Sequence, residues 1–86
     1  MLQGDSHMSW IAHIDIKANG KFNEARWDEL KKWAEVDQIW STQGAWDGML
    51  KLKSNISSND NLEKFVTHLR SQPWVAETRT WWAKSI

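Results

Sequence analysis

Val36-Asp37-Gln38-Ile39-Trp40-Ser41-Thr42-Gln43-Gly44-Ala45-Trp46-Asp47-Gly48-Met49-Leu50-Lys51-Leu52-Lys53 is the stretch on which the fold turns. Ile39, Trp40 and Thr42 suit a strand from Val36 to Gln43, because β-branched and aromatic side chains fit a pleated, half-buried surface. From Gly48 to Lys53 the chain alternates, with Leu50 and Leu52 opposite Met49, Lys51 and Lys53. Successive strand side chains point to opposite faces, so this run buries one face. Gly44-Ala45-Trp46-Asp47 separates the two runs, and the pair reads as a hairpin bent at that tetrapeptide.

Outward from the hairpin lie one helix and one strand on each side. Upstream, Asn23 to Ala34 reads as a helix with Trp27, Leu30, Trp33 and Ala34 along one side and charges on the other. Asn23 is its expected N-cap, and Glu24 suits the positive end of the helix dipole. Trp10 to Lys17 alternates: Trp10, Ala12, Ile14 and Ile16 share one face, and Ile11, His13, Asp15 and Lys17 share the other. Ala18-Asn19-Gly20 breaks that strand. Downstream, Ser54 to Asn61 is polar and reads as a loop, with Asp60 as N-cap and Glu63 completing a capping box. Leu62, Phe65, Val66 and Leu69 then form the i, i+3, i+4, i+7 stripe of a second helix, which Pro73 closes. Val75 to Ala83 is a last strand, rich in threonine and tryptophan.

The order β-α-β-β-α-β is the ferredoxin-like arrangement, an α+β fold with a four-stranded antiparallel sheet and both helices on one face. The other face would carry His13, Asp15 and Lys17 mixed with Ile11. Such a face suits a subunit contact or an open cleft better than a dry core. Residues 1–7, MLQGDSH before Met8, read as the remnant of an expression tag, and residues 8–86 as one domain.

Composition narrows the function. Lys plus Arg balances Asp plus Glu, 11 against 11, so no strong field steers nucleic acid or an anionic membrane to the chain. With no cysteine there is no disulfide, thiolate catalysis or cysteine metal site. The two histidines outside the leader, His13 and His68, lack a ligand spacing, so neither a metal nor another cofactor is expected. No apolar run is long enough to span a membrane and no secretory signal is visible, which makes the cytoplasm the expected compartment. A core this small gains from oligomerisation. Eight tryptophans and no tyrosine point to indoles in the core and at a subunit interface or ligand pocket.

The ordered set of segments resembles the ligand-binding (RAM) domain of the Lrp/AsnC, or feast/famine, transcriptional regulators. Val36 to Asp47 is similar to the family's valine, strand, Thr-x-Gly and aromatic-Asp pair leading into an apolar strand. Leu62, Phe65 and Leu69 match the second helix. Gln72-Pro73-Trp74-Val75-Ala76-Glu77-Thr78-Arg79-Thr80 is similar to the ending Leu-Pro-x-Val-x-x-Thr-x-Thr. The likeness covers Ser9 to about Lys84. Trp46 stands where the family usually has tyrosine or phenylalanine, and Trp74 where glycine is common. No helix-turn-helix precedes the module, so the chain looks like its stand-alone form, without direct DNA binding.

The resemblance implies a dimeric α+β barrel type of homodimer, pairing sheet to sheet, and rings of eight or ten subunits. It implies an amino-acid effector bound between dimers near Gly44 to Asp47, and association with full-length Lrp/AsnC regulators. Backbone groups at Thr42 to Gly44 and the Asp47 carboxylate would meet the ligand's charged ends. Trp46 would wall its side chain, and Thr78 and Thr80 would lie near or support the region. The residues suit a zwitterion: a glycine loop exposes N–H donors for a carboxylate, and Asp47 accepts from an ammonium.

Each of these features also has a plainer reading. Gly44-Ala45-Trp46-Asp47 reads equally as a hairpin bend in which glycine supplies positive φ and aspartate caps its own turn. His13 beside Asp15 reads as a proton-transfer pair or as interface polarity. Trp81-Trp82 points to both faces at once. Two function classes remain open, beside a plainer oligomerisation adaptor with no ligand. One is a non-enzymatic amino-acid-sensing and oligomerisation module that modulates transcriptional regulators. The other is a small dimeric α+β barrel enzyme of monooxygenase or haem-degrading type, motivated by His13, the tryptophans and the open face.

Overall fold

The computed structural model describes residues 10–20 and 24–86. The expected cap Asn23 and the leader 1–7 lie outside them. Six elements follow in order: β1 (Trp10–Ala18), α1 (Glu24–Lys31), β2 (Val36–Ser41), β3 (Gly48–Leu52), α2 (Asn59–Arg70) and β4 (Val75–Lys84). The strands form one antiparallel sheet in the order β2-β3-β1-β4, the expected ferredoxin-like arrangement.

Parity along β1 sets the layers. Ala12, Ile14 and Ile16 are fully buried, together with Leu50 and Leu52 of β3 on the same face. Trp27 and Leu30 of α1 and Leu62, Phe65 and Leu69 of α2 close over them. Both helices therefore cover one face, and burying it supplies the main driving force for folding. At the start of β3 the Trp27 ring occupies the space a β-carbon on Gly48 would need.

Helix α1 is shorter than the expected Asn23 to Ala34. Beyond Lys31 the bonds become i to i−3, from Lys32 N to Glu29 O and from Trp33 N to Leu30 O. The last turn tightens and the chain swings into β2. Ala34 is exposed, whereas Trp33 still packs on the core, edge-on to Phe65 at 5.6 Å and stacked on His68 at 4.2 Å. Strand β2 stops at Ser41 rather than Gln43, because Thr42 turns its N–H to Asp47 O, inside the bend.

The N-cap of α2 is Ser58, not Asp60. Ser58 has extended backbone (φ −113°, ψ 154°), and its hydroxyl accepts from Asn61 N at 3.2 Å. Asp60 falls in the first turn instead, where its charge suits the dipole. Strand β4 runs one residue further than expected, to Lys84. Trp82 packs against the core while Trp81 faces the opposite side, opposite His13.

Candidate ligand-binding site

The bend between β2 and β3 is held by four bonds. Thr42 N donates to Asp47 O (3.1 Å) and Thr42 Oγ1 to Trp46 O (2.8 Å). Asp47 N donates to Ile16 O (2.9 Å), and Asp47 Oδ2 accepts from Ala18 N at 2.7 Å. The last bond joins residues 29 apart in sequence and fastens the bend to the end of β1. The Asp47 carboxylate thus takes over where the β1–β3 ladder stops, at Ile16 opposite Gly48.

Between these anchors Gly44 adopts φ 114°, and a β-carbon there would meet nothing within 4 Å, so glycine is present for its backbone freedom rather than for space. Among the described residues the N–H groups of Gln43, Gly44 and Ala45 donate to no acceptor, and all three residues are exposed. Asp47 Oδ1 has no partner among those residues either. The bend is therefore a turn with spare capacity: free donors on one side and a half-used carboxylate on the other.

Thr42, Gly44, Trp46 and Asp47 are brought together. Thr78 and Thr80 are not part of that cluster. They stand on β4 in register with Ile16 and Ile14, which places them on the helix-covered face. Trp46 leans the other way, with Arg79 Cζ 5.1 Å and Lys17 Nζ 5.6 Å from its ring centre.

Those cations belong to the open face of the sheet. Register aligns Trp40, Met49, Asp15 and Arg79 in one row, and Gln38, Lys51, His13 and Trp81 in the next. Asp15 is only 6% exposed. Its Oδ2 accepts from Arg79 Nε (2.9 Å), Arg79 Nη2 (2.6 Å) and Trp81 Nε1 (3.2 Å). Three donors compensate the desolvation of that carboxylate. His13 stacks on Trp81 with ring centres 4.3 Å apart, and its Nδ1 lies 3.1 Å from Ile11 O. His13 and Asp15 share the face without bonding to each other, so the proton-transfer pairing has no geometric support.

Arg79 and Lys17 were not among the residues expected at the site. Period-two parity on β1 and β4 carries the signal for both, once Asp15 is placed opposite Arg79. Among the described residues no group of three or more His, Asp or Glu could hold a metal ion, and no helix is long and apolar enough to cross a membrane.

No protein-family model matches the chain, and no curated protein matches it. Solved structures do resemble it. The structure of FFRP-DM1 is 21% identical, with a TM-score of 0.75, covering 86% of this chain and 97% of its own. The transcriptional regulator NMB0573 of Neisseria meningitidis, solved as an L-Met complex, is 23% identical with a TM-score of 0.72. An AsnC family transcriptional regulator from Agrobacterium tumefaciens is 13% identical, also at 0.72. In each of these two regulators the match covers 96% of this chain and 55% of theirs. The chain therefore has the RAM-type fold of Lrp/AsnC transcriptional regulators and FFRP-DM1, the fold its sequence pattern led us to expect.

Proposed function

We propose that this chain is a non-enzymatic regulatory module that binds an amino acid at the Gly44 to Asp47 bend and converts binding into a change of assembly. The observation that carries the reading is the bend itself, set in a fold shared with a regulator solved with L-Met. Its unpartnered N–H groups suit an α-carboxylate, the free Oδ1 of Asp47 suits an α-ammonium, and Trp46 offers an apolar wall. Both charged ends of a zwitterion thus find complementary groups within a few residues.

The open face supports assembly. Three of its ion pairs close within one chain: Arg79 with Asp15, Lys17 with Glu77 at 3.5 Å and Lys51 with Asp37 at 3.6 Å. A face that meets its own copy about a two-fold axis gains from such internal pairing, because no cation must find its partner across the interface. Sheet-to-sheet homodimers, and rings of eight or ten chains built from them, follow on this reading. So does mixed assembly with full-length Lrp/AsnC regulators in the cytoplasm. A ligand shifts such equilibria by its differential affinity for the two states.

The test is a thermal-shift screen of the tag-free protein against the twenty amino acids, with mass followed by light scattering. A selective shift that Trp46→Ala and Asp47→Asn abolish, in variants that still melt cooperatively, supports sensing. A flat screen over a stable oligomer sinks it and leaves the bend as a turn.

A further inference from the structure

Asn19, the residue after β1, ties the end of that strand to the turn between α2 and β4. Its N–H donates to Trp74 O at 2.7 Å and its side-chain Nδ2 to Pro73 O at 3.1 Å. A carbonyl oxygen only accepts, so the bond to Pro73 needs the amide NH2, and a carboxylate cannot replace it. One residue back, Ala18 N holds the Asp47 carboxylate that anchors the Gly44 to Asp47 bend.

The residue that follows is Gly20. An asparagine amide before glycine is open to attack by the next backbone nitrogen, because glycine puts no side chain in the way and turns freely. Asn19 and Gly20 are both exposed. Gly20 stands at φ 67°, a β-carbon there would meet nothing within 4 Å, and its N–H donates to no acceptor among the described residues. Comparable positions are closed. Asn55 precedes the β-branched, buried Ile56, whose N–H donates to Lys53 O at 3.0 Å. Asn61 precedes Leu62, whose N–H donates to Ser58 O at 3.1 Å. Asp47-Gly48 is a similar pair, but Gly48 is buried in the β3 ladder and Asp47 Oδ2 is held by Ala18 N.

We propose that Asn19 is a site of spontaneous deamidation, and that the change loosens the anchor of the bend. The step is internal to the chain and consumes only water. Gly20 N gives up its proton to base and bonds to Asn19 Cγ. The Cγ–Nδ2 bond breaks, ammonia leaves with a proton from solvent, and a succinimide ring closes. Water then opens the ring at one carbonyl or the other, giving aspartate or isoaspartate. In sum, an amide and a water become a carboxylate and an ammonium ion. Either product sets a negative charge beside Pro73 O, where a donor stood, and leaves that bond unmade. Isoaspartate also adds a methylene to the main chain directly after Ala18. The modification is one-way, and it holds whether or not the bend takes an amino acid.

The experiment ages the full chain in mildly alkaline buffer and follows each asparagine by peptide mapping, with isoaspartate read by enzymatic methylation. Asn19 should convert several-fold faster than Asn55 or Asn61, and faster as the buffer is made more basic. Conversion at Asn19 no faster than at those two overturns the site. Asn19→Asp supplies one product without ageing, and Asn55→Asp is its charge-matched control in an exposed turn. Near neutral pH, Asn19→Asp should lower Tm by on the order of 5 °C, the shift expected when one hydrogen bond is lost from a domain this small. The deficit should shrink in acid, where the protonated carboxyl donates to Pro73 O again. The control should melt like the parent. An Asn19→Asp melt equal to that of the parent, or an equal loss in the control, overturns the effect on the fold. Hydrogen exchange at the Ala18 amide should be faster in Asn19→Asp than in the parent, and unchanged exchange overturns the link to the bend. No ligand enters these measurements, so a flat amino-acid screen leaves their outcome untouched.

Discussion

The indole of Trp27 fills the position that a β-carbon on Gly48 would take, so helix α1 reaches the backbone of β3 directly. Gly48 is buried at the first position of the strand, opposite Ile16. Gly48→Ala should destabilise the fold by on the order of 1–3 kcal/mol, the usual cost of overpacking a filled site. Urea unfolding checks this, and a variant as stable as the parent would mean that Trp27 does not pack there.

Asp47 has a structural duty as well as a proposed binding one. Asp47→Ala leaves the Ala18 N–H without its acceptor and should cost about 1–3 kcal/mol. Asp47→Asn keeps an acceptor oxygen and should cost about 1 kcal/mol or less. Thermal melts of the two variants give the comparison, and equal losses would show that the bond to Ala18 contributes nothing. The asparagine variant is therefore the cleaner probe of ligand binding.

Arg79 and Trp81 together satisfy the buried Asp15. Arg79→Ala should destabilise by about 1–3 kcal/mol, because the carboxylate then keeps one of its three donors. A double-mutant cycle with Asp15→Asn should return a coupling of at least about 0.5 kcal/mol. Strict additivity would mean that the pair is a surface contact of little worth.

The start of helix α2 offers a sharper contrast. Ser58→Ala should cost about 1 kcal/mol, since Asn61 N loses its cap, while Asp60→Ala should cost only about 0.3–1 kcal/mol through the helix dipole. Denaturant midpoints measured in low salt rank the two, and the reverse ranking would restore Asp60 as the cap.

The strand order and the buried face were legible from alternation in residues 10–17 and 48–53 and from the stripe Leu62, Phe65, Leu69. Those signals are local, and burial enforces them. The end of α1 was not legible, because Trp33 and Ala34 continue the helical spacing while the backbone has already tightened to i to i−3 bonds. Ser58 was not legible as the cap because Asp60 and Glu63 supply a capping pattern two residues later. At the bend, the cluster of Thr42, Gly44, Trp46 and Asp47 was legible as a unit. The Asp47 to Ala18 bond was not, since it depends on where two strands separated in sequence stop pairing. Thr78 and Thr80 fell on the helix-covered face because their parity follows from the register of β4 with β1, which no single segment encodes.

Strand β1 begins beside the place where β4 ends, with Trp10 opposite Lys84. A short linker from Ile86 to Trp10 would close the backbone into a circle without crossing the sheet, and new termini could be cut in the exposed turn at Ser54 and Asn55. The same geometry makes that corner the natural point of attachment for a reporter or a second domain. Cargo hung there leaves the bend at Gly44, at the far end of β1, open to solvent.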